Sequence, residues 1–200
     1  YALAAMTTGC QNIAVGGTAM QSTVDTDFNT AVGYGSLNAN TADNNTAVGH
    51  NALKTNTTGT ANVAMGINAI GVGAAGGVHT GDYNTGIGRW ALYANRIGER
   101  NTALGSSTLV CNDAGDFNTA VGEVSLFCNT SGHGNTGIGR CALYNNTTGC
   151  YNTAVGFCTL PENTTGNNNH AFGFCALKNN TTGGCNVAVG RSALAYNKIG

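Results

Sequence analysis

Cysteine is the residue type in this chain whose spacing could support chemistry. Cys141, Cys158 and Cys175 follow one another at intervals of 17 residues, and Cys111 and Cys128 are separated by the same interval. Regularly spaced thiols are typical of disulfides or of metal ligands. No Cys-x-x-Cys pair is present, and zinc sites usually need such close spacing. Disulfides are therefore favoured, with free buried thiols and a metal site as the alternatives.

The other side chains that could do chemistry form no recognisable catalytic or binding motif. The acidic residues are scattered and share no evident common position, and the glycine-rich phrases lack the flanking helix of a nucleotide-binding loop. The four histidines do not follow the 17-residue interval: His50, His79, His133 and His170. An active site would have to come from the irregular insertion described below. The sequence therefore predicts no enzyme, no catalytic residue, no cofactor and no metal.

A repeat with the consensus N-T-A-V-G-x-x-A-L-x-x-N-T-T-G-x-x sets the 17-residue interval. Ten intervals separate its eleven copies, and eight of these are 17 residues, one is 16 and one is 22. The copies begin at Asn12, Asn29, Asn45, Asn62, Asn84, Asn101, Asn118, Asn135, Asn152, Asn169 and Asn186. A period this short and constant indicates a solenoid.

The domain organisation follows from the repeat. Residues 1–200 form a single repeat array, with a partial coil at 1–11, a one-residue deletion in 29–44 and an insertion near 71–77. Because the chain starts at Tyr1 in mid-repeat, we expect it to be a fragment of a longer chain.

Composition excludes several partners. The net charge is −1 and only 8% of residues are charged, so no basic surface for nucleic acid is expected. No run of about 18 apolar residues is present, so no membrane insertion is expected. Disorder is disfavoured because 42% of residues are apolar and charge is scarce.

Within each repeat, positions two to five read as a short strand ending in a glycine turn. Side chains alternate across a strand, so the third and fourth positions face opposite ways. The fourth position is bulky, as is the ninth, whereas the third is always Ala or Gly. The fourth and ninth positions are therefore predicted to fill the coil, as Val48 and Leu53 would in one repeat. The predicted core residues at the fourth position are Val15, Val32, Val48, Met65, Ile87, Leu104, Val121, Ile138, Val155, Phe172 and Val189.

The repeat is too short for the helical solenoids, whose units need roughly 33 to 47 residues. The predicted fold class is all-β, a parallel β-solenoid with about 17 residues per coil, flattened into two short strands and two turns. A three-sided coil is the alternative. Adjacent rungs would lie about 4.8 Å apart, which makes a rod on the order of 50 Å long.

Stacking places equal positions above one another. The first-position asparagines, which open the eleven copies, would form one ladder. A second ladder would form at the twelfth position: Asn40, Asn56, Asn95, Asn112, Asn129, Asn146, Asn163, Asn180 and Asn197. Each amide can donate to one rung and accept from another. The structural role is strongly favoured over a catalytic one.

The core of each coil is thin, so one chain alone gains little from burial. The all-Ala/Gly third position would form a smooth stripe that another backbone could approach. We therefore predict a homo-oligomer packed through this stripe. The alternative is a monomeric solenoid whose two walls pack through the small residues.

The phrases NTAVGHNALKTNTTG (45–59) and NTGIGRCALYNNTTGCYNTAVG (135–156) resemble repeats of viral tail-fibre and spike-like proteins and of bacterial surface-fibre proteins. They are similar, more distantly, to heads of trimeric autotransporter adhesins. The resemblance covers essentially the whole chain. It implies a left-handed parallel β-roll, trimerised about a long axis, in an extracellular, cell-surface or virion fibre. The eight cysteines are more than such repeats usually carry.

The rung spacing falls inside the 4.4–6.8 Å Cα separation of disulfides. Cys111–Cys128 is the cleanest predicted pair, and the trio Cys141, Cys158 and Cys175 would leave one sulfur for another thiol or another chain. Disulfides fit an oxidising extracellular setting.

Two further roles stay open. Outward aromatic residues could bind a cell-surface glycan or stack between coils: Trp90, Tyr93, Phe127 and Tyr144. Threonines at the second position could form an ice-binding array, interrupted by Ile13, Val63, His170 and Val187. The leading prediction is a structural fibre segment that extends and displays, with attachment or filament assembly as a second role.

Overall fold

The computed structural model describes residues 1–71 and 77–199, and within them every regular element is a β-strand. Each strand covers the second to fourth positions of one repeat. The strands are β1 Ile13–Val15, β2 Thr30–Val32, β3 Thr46–Val48, β4 Val63–Met65, β5 Thr85–Ile87, β6 Thr102–Leu104, β7 Thr119–Val121, β8 Thr136–Ile138, β9 Thr153–Val155, β10 His170–Phe172 and β11 Val187–Val189.

Successive strands pair in parallel and in chain order, so that all eleven belong to one sheet. The pairing joins equal repeat positions; in β6 and β7, Thr102 pairs with Thr119 and Leu104 with Val121. The predicted all-β parallel solenoid, with one coil per repeat, is confirmed. Across the two described ranges, no helix has the length and apolarity needed to span a membrane.

The other wall of each coil consists of turns and bends rather than a second strand. Leu109 has a left-handed backbone with φ of 48°, which a strand cannot contain. Its N–H nevertheless donates to Ser125 O on the next rung at 3.1 Å, and its carbonyl accepts from Asn112 N–H at 3.3 Å. The prediction of two strands per coil is therefore wrong, although both walls are hydrogen-bonded from rung to rung.

The core of the coil is formed by the third, eighth and ninth positions. Ala120 and Leu126 are both 0% exposed, and the equivalent residues of the other inner coils are buried in the same way. Burying a leucine contributes about 1.5–3 kcal/mol. This gain offsets the left-handed backbone that the ninth position adopts throughout the array.

The predicted core at the fourth position is wrong. Its side chains point outward and are exposed or half-buried; Val15 is 58% exposed, Met65 41% and Val189 71%. The full set lies on this outer side: Val15, Val32, Val48, Met65, Ile87, Leu104, Val121, Ile138, Val155, Phe172 and Val189. Alternation along a strand determines which positions face opposite ways, but not which of them faces the interior.

The narrow width of the coil explains why the third position faces the interior and the fourth faces outward. At Gly86, a third-position glycine, an added Cβ would lie 2.8 Å from Ile70 Cγ1. The ninth-position side chain on the opposite wall would have to shift for even a methyl group at Gly86, and alanine is the largest third-position residue in the array. The third-position stripe is interior, so the prediction that chains pack against one another through this stripe is wrong. Packing of the two walls through these small residues, given above as the alternative, is what the structure shows.

The irregular segments leave the stacking intact. Thr7 N–H donates to Val24 O at 3.2 Å, and Leu3 packs against the core, so residues 1–11 add a partial coil to the array. Residues 72–76 of the predicted insertion lie outside the described residues. After them His79 forms an isolated parallel bridge with Asn56, which restores the register.

Candidate functional site

The first-position asparagines form a buried ladder. Asn118 Oδ1 accepts the backbone N–H of Asn135 at 2.9 Å and its side-chain Nδ2–H at 3.2 Å. The backbone bond recurs between every neighbouring pair of the eleven asparagines, at 2.8 to 3.1 Å. It also spans the insertion, from Asn84 to Asn62. The ladder therefore sets the register of the whole array.

The twelfth-position asparagines from Asn40 to Asn180 form a second buried ladder, in which Asn112 Nδ2 donates to Asn95 Oδ1 at 2.7 Å. Asn197 was predicted to continue this ladder and does not: its Nδ2 donates to Asn186 Oδ1 at 3.4 Å instead. In most coils the two ladders meet at the carbonyl of the turn glycine. Gly115 O accepts from Asn101 Nδ2 at 2.7 Å and from Asn112 Nδ2 at 2.9 Å. These amides hold the polar half of the interior together, and no substrate could reach them.

The second ladder is interrupted at His79, which occupies the twelfth position of its coil and is 0% exposed. His79 Nδ1 lies 2.9 Å from Asn95 O and must donate to it, because a carbonyl only accepts. Nε2 then carries a lone pair, and both it and Asn56 Oδ1 are buried without a hydrogen-bond partner. Burial lowers the pKa of His79. The place of His79 in the ladder could not be predicted from the sequence, because the insertion before it obscures which repeat position it occupies.

The outer surface of the eleven-stranded sheet, which we call the sheet face, carries the second and fourth positions side by side. The fourth position supplies the aliphatic column, joined by Phe172. The second position supplies seven half-buried threonines. Its full set is Ile13, Thr30, Thr46, Val63, Thr85, Thr102, Thr119, Thr136, Thr153, His170 and Val187. No Asp, Glu, Lys or Arg lies in either column, and in-register pairing keeps both columns straight.

The thiols lie at coil corners and are all free in the structure. The predicted disulfides are thus not confirmed in the single chain, neither for Cys111 and Cys128 nor within the trio Cys141, Cys158 and Cys175. Burial raises the pKa of Cys111 and of Cys128. Burial, together with the neighbouring Cys141 and Cys175, raises the pKa of Cys158 to about 11.

Aromatic rings stack along the rod. Phe127 and Tyr144 lie face to face, with ring centroids 5.3 Å apart and an interplanar angle of 10°. Each ring covers one face of the other, which leaves less surface for a sugar to stack on. Trp90 and Tyr93 are only tilted, at 42°, and Arg89 covers the indole at 3.9 Å.

One column was missed altogether by the sequence analysis. Arg140 lies over Phe157, Phe157 stacks on Phe174 at 5.5 Å, and Arg191 lies over Phe174. Glu123 extends the column by accepting from Arg140 Nε at 2.9 Å. All five occupy the sixth position of successive coils, so a position-by-position table of charged and aromatic residues could have found them.

A third hydrogen-bonded ladder runs along the sixteenth position, where a side chain accepts the backbone N–H of the preceding rung. Asp116 Oδ1 accepts from Glu99 N–H at 2.8 Å, and Asp82 Oδ1 from Thr60 N–H at 2.7 Å. His133 Nδ1 does the same for Asp116 N–H at 3.0 Å. The expectation that the acidic residues share no common position is therefore wrong. Their recurrence one residue before the end of the repeat was the available signal.

In the described ranges, no group of three or more His, Cys, Asp or Glu side chains is placed to hold a metal ion. Comparison with protein-family models, with curated proteins and with solved structures gave no match. The surfaces described above are therefore the basis for a functional proposal.

Proposed function

We propose that the chain is a structural segment of an extracellular, cell-surface or virion fibre, of the shaft or adhesin-head type, that extends and displays. The observation that carries the proposal is the sheet face. It is an uncharged surface with a straight aliphatic column, roughly 50 Å long by rung spacing and about 10 Å wide. Contiguous apolar surfaces of this size on soluble proteins commonly mark interaction sites.

A second copy of this chain is the occupant we propose. The columns repeat at every rung, and another array with the same rung spacing can match all of them at once. Val121 and Ile138 are equivalent residues on adjacent rungs, so a neighbour could contact each through one recurring arrangement. Closed symmetry favours identical subunits, and the resemblance of the repeats to trimeric fibres suggests three chains.

The hydrogen-bonded interior supports the proposal of a rigid rod. The Asn ladders satisfy buried polar groups in nearly every coil, and buried hydrogen-bonded networks of this kind rigidify a fold. Attachment to a cell-surface glycan and disulfide cross-links between chains belong to the same proposal, since both suit an extracellular setting.

Negative-stain electron microscopy tests the fibre function. The proposal predicts straight particles about 50 Å long, or longer if chains join end to end, and wider than one coil. Thin particles of single-coil width at all protein concentrations would contradict it.

Ice binding is the second candidate, because the threonine column of the sheet face is regular and half-exposed. Thr102, Thr119, Thr136 and Thr153 occupy four successive rungs. Thermal hysteresis at high micromolar protein would support this candidate if Thr119→Leu combined with Thr136→Leu reduced it. An absence of hysteresis in the wild-type chain would exclude it.

A further inference from the structure

Cys141, Cys158 and Cys175 occupy the seventh position of three successive coils and are partly exposed. Backbone bonds hold these corners in register: Cys158 N–H donates to Arg140 O at 2.9 Å, and Cys175 N–H donates to Phe157 O at 3.1 Å. Neighbouring rungs lie about 4.8 Å apart, inside the Cα range of a disulfide. Cys141 and Cys175 are two rungs apart, at about 9.6 Å, outside that range.

We propose that these three thiols form a redox site in which Cys158 is the shared partner of two mutually exclusive disulfides, Cys141–Cys158 and Cys158–Cys175. Oxidation then leaves one outer thiol in each chain. That thiol is free to form a disulfide with a second copy of the chain, so this corner can link chains in pairs and no further. The intrachain pairing does not depend on the fibre function, because it follows from the spacing of three thiols in one chain, whereas the link between chains rests on the cross-linking in the proposed function.

The oxidant is a small-molecule disulfide such as oxidised glutathione. An outer thiol, Cys141 or Cys175, loses its proton and attacks one sulfur of that disulfide, releasing one glutathione and forming a mixed disulfide. Cys158 then loses its proton and attacks the protein sulfur, releasing the second glutathione. Two protein thiols have lost two protons and two electrons, and the glutathione disulfide has been reduced to two thiols. A further molecule of oxidised glutathione oxidises the remaining outer thiols of two chains by the same two steps, which forms the interchain disulfide and releases two more glutathione thiols.

The environment of Cys158 explains why an outer thiol attacks first and Cys158 second. Burial and the neighbouring thiols Cys141 and Cys175 raise its pKa to about 11, whereas Arg140 acts in the opposite direction. Cys158 is thus protonated at neutral pH and is a poor first nucleophile. Once an outer neighbour carries the mixed disulfide, that neighbour can no longer become a thiolate. Its repulsion of the Cys158 thiolate is then lost, which favours the second attack.

Cys111 and Cys128 provide an internal comparison. They occupy the eleventh position of two successive coils, and burial raises the pKa of both thiols. No third cysteine occupies that position on either adjacent rung, where Ala94 and Asn145 stand. Oxidation of this pair would consume both thiols and leave none for another chain.

The test uses the full chain with five cysteines replaced by serine: Cys10, Cys111, Cys128, Cys150 and Cys185. After equilibration with oxidised glutathione, free thiols are alkylated and counted by mass spectrometry under denaturing conditions, and chains are separated on non-reducing gels. One intrachain disulfide per chain and a covalent dimer are expected. Adding Cys175→Ser should keep the intrachain disulfide and abolish the dimer. Adding Cys158→Ser should abolish the intrachain disulfide.

Three results would overturn the proposal. They are an intrachain disulfide that survives Cys158→Ser, a covalent dimer that survives Cys175→Ser, and three thiols that remain unoxidised in the parent variant. Circular dichroism identifies any variant that fails to fold. In that case peptide mapping of the oxidised natural chain decides, since a Cys141–Cys175 peptide would contradict the proposal and peptides containing Cys158 in both pairings would support it.

Discussion

Asn118 Oδ1 accepts two hydrogen bonds from Asn135, one from its backbone N–H at 2.9 Å and one from its side-chain amide at 3.2 Å. Asn135 also donates to Gly149 O at 2.8 Å within its own coil, and Asn152 N–H donates to its Oδ1 at 3.0 Å. One side chain thus ties three coils together in a site that is 0% exposed.

Asn135→Ala should therefore be strongly destabilising. It leaves the Asn152 N–H without its side-chain acceptor, and it removes one of the two hydrogen bonds to the Gly149 carbonyl, which still accepts from Asn146 Nδ2 at 2.9 Å. We expect a loss of roughly 1–4 kcal/mol in the free energy of unfolding, measured by urea denaturation, from one orphaned buried group and one lost hydrogen bond. The matched control is Thr148→Ala in the same coil, where the side chain is exposed and the change should stay within about 0.5 kcal/mol. Equal effects of the two substitutions would contradict the structural role of the ladder.

Alanine substitutions at two fifth-position glycines distinguish the effect of backbone strain from that of steric overlap between rungs. Gly173 and Gly190 have φ of 124° and 122°. An added Cβ at Gly173 would lie 2.7 Å from Gly190 O, whereas at Gly190 it would have no atom within 4 Å. Both alanine substitutions should incur the backbone strain, roughly 1–3 kcal/mol.

Only Gly173→Ala should also force adjacent rungs apart, so its urea midpoint should fall further than that of Gly190→Ala. If Gly190→Ala were as damaging as Gly173→Ala, backbone conformation alone would explain the glycine and close stacking would not.

Leu126 and Val121 distinguish the core from the sheet face within one coil. Leu126 is 0% exposed and Val121 is half-buried on the outer side. Leu126→Ala should lower the free energy of unfolding by about 2–5 kcal/mol. Val121→Ala should cost less than about 1 kcal/mol at protein concentrations where chains are separate. Similar losses for both would place Val121 in the core after all.

His79 should make stability depend on pH. Burial lowers its pKa in the folded chain below the unfolded value, about 6.5. Below pH 6.5 the unfolded chain binds the additional proton, so stability rises with pH there. The contribution of the neutral imidazole is present above pH 6.5 and is lost as the pH falls toward the lowered folded pKa.

His79→Asn tests this pH dependence directly. Asparagine is the usual residue at this ladder position, and its side-chain amide can donate to Asn56 Oδ1, which lacks a hydrogen-bond partner. The variant should be more stable than the wild-type chain, by about 1–2 kcal/mol, and its urea midpoint should change less between pH 7 and pH 5. A wild-type midpoint that is constant across this interval would refute the account of His79.

The period alone was enough to predict the solenoid and the positions of both Asn ladders, because stacking brings equal positions together whatever the shape of the coil. It could not decide between Ala120 and Val121 as the inward residue. The larger side chain suggested the core, but the volume beside Ala120 is already filled from the opposite wall by Leu126 and its equivalents.

The second strand was predicted because Leu109 and its equivalents are bulky and regularly spaced. A sequence pattern carries little information on φ, and leucine rarely adopts the left-handed conformation that the structure shows for it. Asp82 and Asp116 were overlooked because chemically different acceptors, including His133, share the sixteenth position. The acceptor role recurs there while the residue type changes.

Light scattering of the purified chain in solution tests self-association through the sheet face most directly. The chain has a mass of 20.1 kDa. The proposal predicts a multiple of that mass, with three chains expected, and a return to a single chain when Val121→Lys and Ile138→Lys place charges in adjacent rungs of the aliphatic column. Thr148→Lys, which adds a charge away from the sheet face, should leave the assembly unchanged. A compact wild-type monomer at every concentration would contradict the account.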